Sequence, residues 1–268
     1  MLKNTVFNKF NSYFFAMLFL LFNCPVNAKN FDCENPLILS STTDWYPYIY
    51  MSPEGVSMGA DIELLRIILK EIGCELKVVH FPERRSLFEL KKGNVDIGLG
   101  ASFNKERAQA YWYSNQYRHE VNQFAYRTND RNISESTNIK NIIESDTIIA
   151  INLAGWYGEE IEKAKADSNN FIYSDTVSKR LKMLNFERVD IVIDDSIVLC
   201  HELHRLPFPQ ITIHPSVLYE TPIYFLFNKK TVSKSFIDKF NKALEEMRIS
   251  GLLKQHYIDN LHLTCSVN

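Results

Sequence analysis

The chain has 268 residues, a formal net charge of −2, and 46% hydrophobic residues. Such a length suits one large domain or two small ones with ample core. A near-neutral balance of acids and bases argues against nucleic acid or an anionic membrane as a partner.

The first 28 residues differ in composition from the rest. Lys3 and Lys9 form a positive start, residues 13–22 an apolar core, and Val26-Asn27-Ala28 a small-residue cleavage site. This is the layout of a secretory signal peptide, with an apolar core shorter than the roughly 20 residues of a membrane span. Cys24 raises the alternative of a lipid anchor, although Phe22 and Asn23 before it are bulky for an attachment site. Cleavage after Ala28 leaves 240 residues with 28 basic and 32 acidic side chains, a net of −4, and no second long apolar run. The expected compartment is therefore the periplasm.

Four cysteines follow the cleavage site: Cys33, Cys74, Cys200 and Cys265. An even number in an exported chain makes disulfides plausible. Cys33 precedes the first expected strand and Cys74 the second, so parallel pairing of those strands favours Cys33–Cys74. Cys200–Cys265 would then tie down the tail. Four unpaired buried thiols are the alternative.

Residues 36–41 (PLILSS) read as the first strand, leading into the aromatic run Trp45-Tyr46-Pro47-Tyr48. An exposed ring directly after a strand is a stacking surface in many sites, and a core residue in many others. Residues 52–55 read as a turn. Behind Asp61, taken as an N-cap, the apolar positions Ile62, Leu64, Leu65, Ile67, Ile68, Leu69 and Ile72 recur at helical spacing until Gly73. A strand over 75–81, a helix over 83–92 ended by Gly93, and a strand over 95–99 follow. Helix and strand alternating at these lengths predict βαβ crossovers and an α/β fold with a parallel sheet. In such sheets the loops leaving the C-terminal strand ends form the ligand crevice, which points to residues 100–107.

The aromatic-rich run 116–127 reads as extended, and the polar stretch 128–137 as the passage into a second lobe. There the alternation repeats, with strands near 147–152, 171–173 and 189–193, helices over 157–166 and 175–185, and Asp194-Asp195 at a strand end. Strands over 211–214 and 220–228 come next. An amphipathic helix over 232–250 carries Phe236, Phe240, Leu244 and Met247 on one stripe, and a last helix covers 252–260. A return crossing to the first lobe implies a hinge and a cleft.

The opening DWYPY, the helix start GADIEL, the segment KKGNVDIGLGASFNKERAQAYWYSNQY, the run VDIVIDD and the closing YFLFNKK…FNKALEEMRISGLLKQHY resemble the family 3 extracellular solute-binding proteins. These are the polar-amino-acid receptors of ABC importers. The resemblance implies a type II periplasmic-binding fold, with two βα lobes, a two-strand hinge and a ligand cleft between the lobes. Its lobes would be 29–122 plus 224–268, and 123–223. It also implies a monomer that binds a small zwitterionic amino acid or a derivative and meets a membrane permease, without cofactor or metal.

In the family, the arginine that closes the loop clamps the ligand's α-carboxylate, and here that residue is Arg107. Its planar fork donates two parallel hydrogen bonds, and a cation in the first turn of a helix is otherwise misplaced. Ser102 matches the family's hydroxyl ligand. Asn104 replaces the usual threonine and can cap the following helix. Trp45 would cover the ligand's apolar part. Counting five residues from Asp190 gives Asp195 for the ammonium; Asp194 is the adjacent candidate, and either is also a plain N-cap. Ala154-Gly155-Trp156 stands where the family has a hydroxyl-bearing turn, which leaves backbone N–H groups near Gly155 and Trp156 for the grip. Glu83 replaces a sandwiching aromatic, and Arg85 matches an arginine of one branch.

Competing readings remain. Cys200, His201 and His204 lack the spacing of the usual zinc motifs. A dehydratase resembling cyclohexadienyl dehydratase would use Glu83 or Asp195 as acid or base. A receptor that feeds a signalling partner is the third reading.

Overall fold

The computed structural model describes residues 33–42, 45–134, 139–143, 145–153, 155–167 and 169–261, without the side chains of Glu83, Arg84, Ser134 and Ile139. The expected signal peptide, the lipid-anchor alternative at Cys24, Ala154, Cys265 and the Glu83 side chain lie outside the described residues.

Elements follow the chain as β1 (Leu37–Ser41), β2 (Tyr50–Met51), β3 (Ser57–Met58), α1 (Ala60–Glu71), β4 (Leu76–His80), α2 (Glu83–Lys92), β5 (Ile97–Ser102), α3 (Arg107–Ala110), β6 (Tyr111–Tyr113) and β7 (Arg118–Arg127). Then come α4 (Arg131–Ser134), α5 (Ile139–Ile143), β8 (Ile149–Ile151), α6 (Glu159–Asp167), β9 (Phe171–Tyr173), α7 (Val177–Asn185) and β10 (Ile191–Asp195). The chain closes with α8 (Ser196–Arg205), β11 (Ile211–Ile213), β12 (Tyr219–Asn228), α9 (Lys234–Ile249) and α10 (Leu252–Asn260).

The large sheet has the order β4-β1-β5-β12-β7-β10-β8-β9. Two parallel triplets, β4-β1-β5 and β10-β8-β9, sit at its two ends. Between them run the two ten-residue strands β7 and β12, antiparallel to each other and to their other neighbours. Each changes partner midway. β7 pairs with β12 from Arg118 to Asn122 and with β10 from Asn122 to Tyr126, while β12 leaves β7 at Ile223 and joins β5. Two chain crossings at that point make the two-strand hinge of the type II periplasmic-binding fold.

The first helix forms two residues earlier than its sequence suggests. Gly59, not Asp61, is its cap, with φ 130° and a position where a Cβ would lie 2.2 Å from the Tyr48 carbonyl oxygen. Only glycine tolerates that approach. Asp61 is thus inside the first turn and fully buried, for a reason given below. In the apolar stripe of α1, Ile62, Leu64, Leu65, Ile68 and Leu69 are all buried, whereas Ile67 turns outward and is 45% exposed. Each buried one contributes about 1.5–3 kcal/mol by leaving water. Helix α9 places Phe240 edge-on to Phe225 and Phe227 of β12, at ring distances of 5.6 and 4.9 Å.

Strand β1 pairs in parallel with β4, Leu37 opposite Leu76. That register brings Cys33 and Cys74 to a Cα–Cα distance of 5.2 Å in a disulfide. Cys200 is disulfide-bonded as well. No described helix is long and apolar enough to cross a membrane.

Candidate functional site

Strand β5 runs on to Ser102, three residues beyond its expected end, so the loop after it is only 103–106. Asn104 fixes that loop by accepting the Glu106 and Arg107 N–H groups on its Oδ1, at 2.8 and 3.1 Å. This is a side-chain cap, and it delivers Arg107 at the start of α3 to the wall of a cavity of about 330 Å3. Ser102, Trp45, Gly155 and Trp156 line the same cavity. Its walls come from the first parallel triplet and its loops on one side, and from the segment after β8, α7 and β10 on the other.

Three residues expected at the site stand elsewhere. Asn104 acts behind the wall, as the cap just described. Arg85 points outward from α2, with 62% of its side chain exposed, beside Glu89 at 3.4 Å and over the Phe81 ring. Asp195 is 1% exposed and does not line the cavity. Its Oδ1 accepts the Ile197 and Val198 N–H groups at the start of α8, and its Oδ2 the Val121 N–H. Asp195 takes the helix-cap role, and the count from Asp190 lands one residue past a carboxylate that does line the cavity.

That carboxylate is Asp194. It receives a hydrogen bond from Trp45 Nε1 at 3.0 Å, one from its neighbour's backbone N–H at 2.9 Å, and an ion pair from Arg180 Nη2. Arg180 is itself 1% exposed and spends Nη1 on the Ser174 carbonyl oxygen. Its Nε has no partner among the described residues, although Arg180 lines the cavity. Arg180 is hidden in the sequence because SKRLKML has the pattern of a solvated helix face. A buried arginine there answers to Asp194, which no local pattern reveals.

Trp45 is held from behind. The Arg118 guanidinium lies 4.8 Å from its ring centre and 3.8 Å from that of Tyr48. Asp61 anchors Arg118, accepting from its Nε at 3.2 Å, and also accepts the hydroxyls of Tyr117 at 2.7 Å and Tyr257 at 3.0 Å. The aspartate expected as a cap is therefore the hub that fixes the cation behind Trp45. On the opposite side, Gly100 lets the Trp45 ring approach: a Cβ there would sit 3.0 Å from the indole.

Glu120 on β7 completes the lining. Burial pushes its carboxyl up to about 8, with Asp195 and then Asp194 adding to the rise and Arg118 opposing it. Burial likewise pushes Asp195 up to about 6 against the pull of Arg118 and its backbone hydrogen bonds. One sign of this face is visible in the sequence. Arg118, Glu120 and Asn122 alternate along a strand, so three polar side chains share one face of the hinge.

Among the described residues no three His, Cys, Asp or Glu side chains gather to hold a metal. His201 Nε2 pairs with the Leu261 carbonyl oxygen and His204 Nδ1 with that of Cys200.

Residues 37–259 match the model of the bacterial extracellular solute-binding proteins, family 3. The chain is 25% identical over 235 residues to the probable amino-acid-binding protein YxeM of Bacillus subtilis (strain 168), covering 85% of each chain. Its fold is similar to that of the arginine-, lysine-, histidine-binding protein ArtJ from Geobacillus stearothermophilus, with a TM-score of 0.72 at 20% identity over 84% of this chain and 95% of that one. A histidine kinase sensor domain with similarity to periplasmic binding proteins gives a TM-score of 0.76 at 14% identity, over 86% and 97% of the two chains.

Proposed function

The chain belongs to the bacterial extracellular solute-binding proteins of family 3, and from that premise we propose that it is exported, works as a monomer, and captures a small amino-acid-type zwitterion for the permease of an ABC importer. The lobes of this reading are 29–122 plus 224–268, and 123–223, closing about β7 and β12. One observation carries it. Arg107 and the carboxylate-bearing wall of the second lobe face one cavity of about 330 Å3, within the usual range for small-ligand sites. Trp45 and Trp156 supply apolar cover. Arg107 takes the ligand's carboxylate, Ser102 adds a hydroxyl, and the backbone near Gly155 and Trp156 contributes N–H groups. Closure follows because the ligand touches both lobes only in the closed form, so its binding shifts the population toward that form.

The test is a thermal-shift screen of the purified chain against the twenty L-amino acids, with prephenate and arogenate included and assayed for turnover. At 100 times Kd a true ligand adds about 2.7 kcal/mol, equivalent to roughly 5–11 °C in a chain of this size. No shift with any amino acid would overturn the reading. Turnover of prephenate or arogenate would replace it with the dehydratase.

A further inference from the structure

The cavity wall holds three carboxylates, from Glu120, Asp175 and Asp194, and they are not equally available. Asp194 is committed to Trp45, Arg180 and the Asp195 backbone, with both oxygens engaged. Asp175 sits at the exposed rim, paired with Lys179 at 2.8 Å. Asp195, behind the wall, is spent on three backbone N–H groups. Glu120 accepts one side-chain hydrogen bond, from Asn122 Nδ2 to Oε1 at 3.0 Å. It also stands on the hinge strand, where both lobes can bring a ligand against it.

Resting on the capture reading above, we propose that Glu120 is the group that receives the ligand's cationic nitrogen, opposite the carboxylate held by Arg107. A ligand with a positive end supplies what this carboxylate lacks inside the protein. Asp194 and Arg180 then form a fixed polar wall that sets the position of Trp45.

A consequence concerns protons. The groups around Glu120 are Asp194 and Asp195 from β10, Arg118 and Asn122 on its own strand, and the hydroxyls of Tyr48 and Tyr157. Arg118 faces Asp61 as well, so its charge is shared. With its carboxyl raised to about 8, Glu120 holds a proton at neutral pH in the empty cavity. A bound cation favours the ionised form, so the proton leaves to solvent as the ligand enters.

Isothermal titration tests this with the amino acid that gives the largest thermal shift, in two buffers of different ionisation enthalpy. The wild-type chain is expected to release nearly one proton per ligand at pH 7. Its affinity should climb up to about tenfold per pH unit from 6 to 8 and then flatten. Glu120→Gln should bind at least tenfold more weakly at pH 8.5, with no proton release and a flat profile over that range. A Glu120→Gln chain that binds as tightly as the wild type would overturn the Glu120 assignment and leave amino-acid capture standing. Failure of every amino acid to bind the wild type would overturn both.

Discussion

Asp61→Ala is expected to destabilise the protein by about 3–5 kcal/mol, the usual cost of stripping one partner from a buried ion pair. Asp61 is 0% and Arg118 8% exposed, and one carboxylate serves a guanidinium and two phenol hydroxyls. Its removal leaves a buried cation against the rings of Trp45 and Tyr48, with Arg118 Nη1 already lacking a partner among the described residues. Attraction to the rings is worth about 2 kcal/mol at best when desolvated, and it is present in the wild type too, so it cannot compensate. Urea denaturation of the empty protein measures the loss, and a melting-temperature drop of roughly 6–20 °C should accompany it. A loss under about 1 kcal/mol would mean that the hub contributes no more than an exposed ion pair.

Arg107→Ala should act in the opposite manner, severely weakening capture while leaving the empty protein's stability nearly unchanged. Arg107 is half-buried on the cavity wall at the first residue of the short helix α3, and Asn104 holds that turn through backbone groups that the substitution leaves intact. Truncating one side of an enclosed charge pair costs about 2–5 kcal/mol, so affinity should fall roughly 30-fold to several thousand-fold. Arg107→Lys should recover part of the loss only, because a point charge replaces a two-pronged fork. Titration heats equal to those of the wild type would remove Arg107 from the site.

Much of the fold was legible because its elements obey local rules. The stripe of α1, the Gly93 stop of α2 and the crossovers of both triplets are written in period and punctuation. Arg107, Trp45 and Ser102, named from the loops after strands and from the family resemblance, line the cavity at the ends of β1 and β5. What escaped depends on contacts far apart in sequence. Asp61 follows the pattern of a cap, yet Tyr117, Arg118 and Tyr257 draw it inward from 56 to 196 residues away. Asp194 and Asp195 are adjacent and chemically alike, and the pleat sends one toward the cavity and the other to the helix start. Register decides between them, and register is set by the pairing of β10 with β7 and β8.

The most direct measurement is a crystal structure of the chain with the amino acid that stabilises it most. Capture between lobes puts the ligand's carboxylate on the Arg107 guanidinium, its cationic nitrogen on Glu120, and the Trp45 ring along its carbon chain. A ligand bound outside this cavity, or one whose carboxylate faces away from Arg107, would contradict the account.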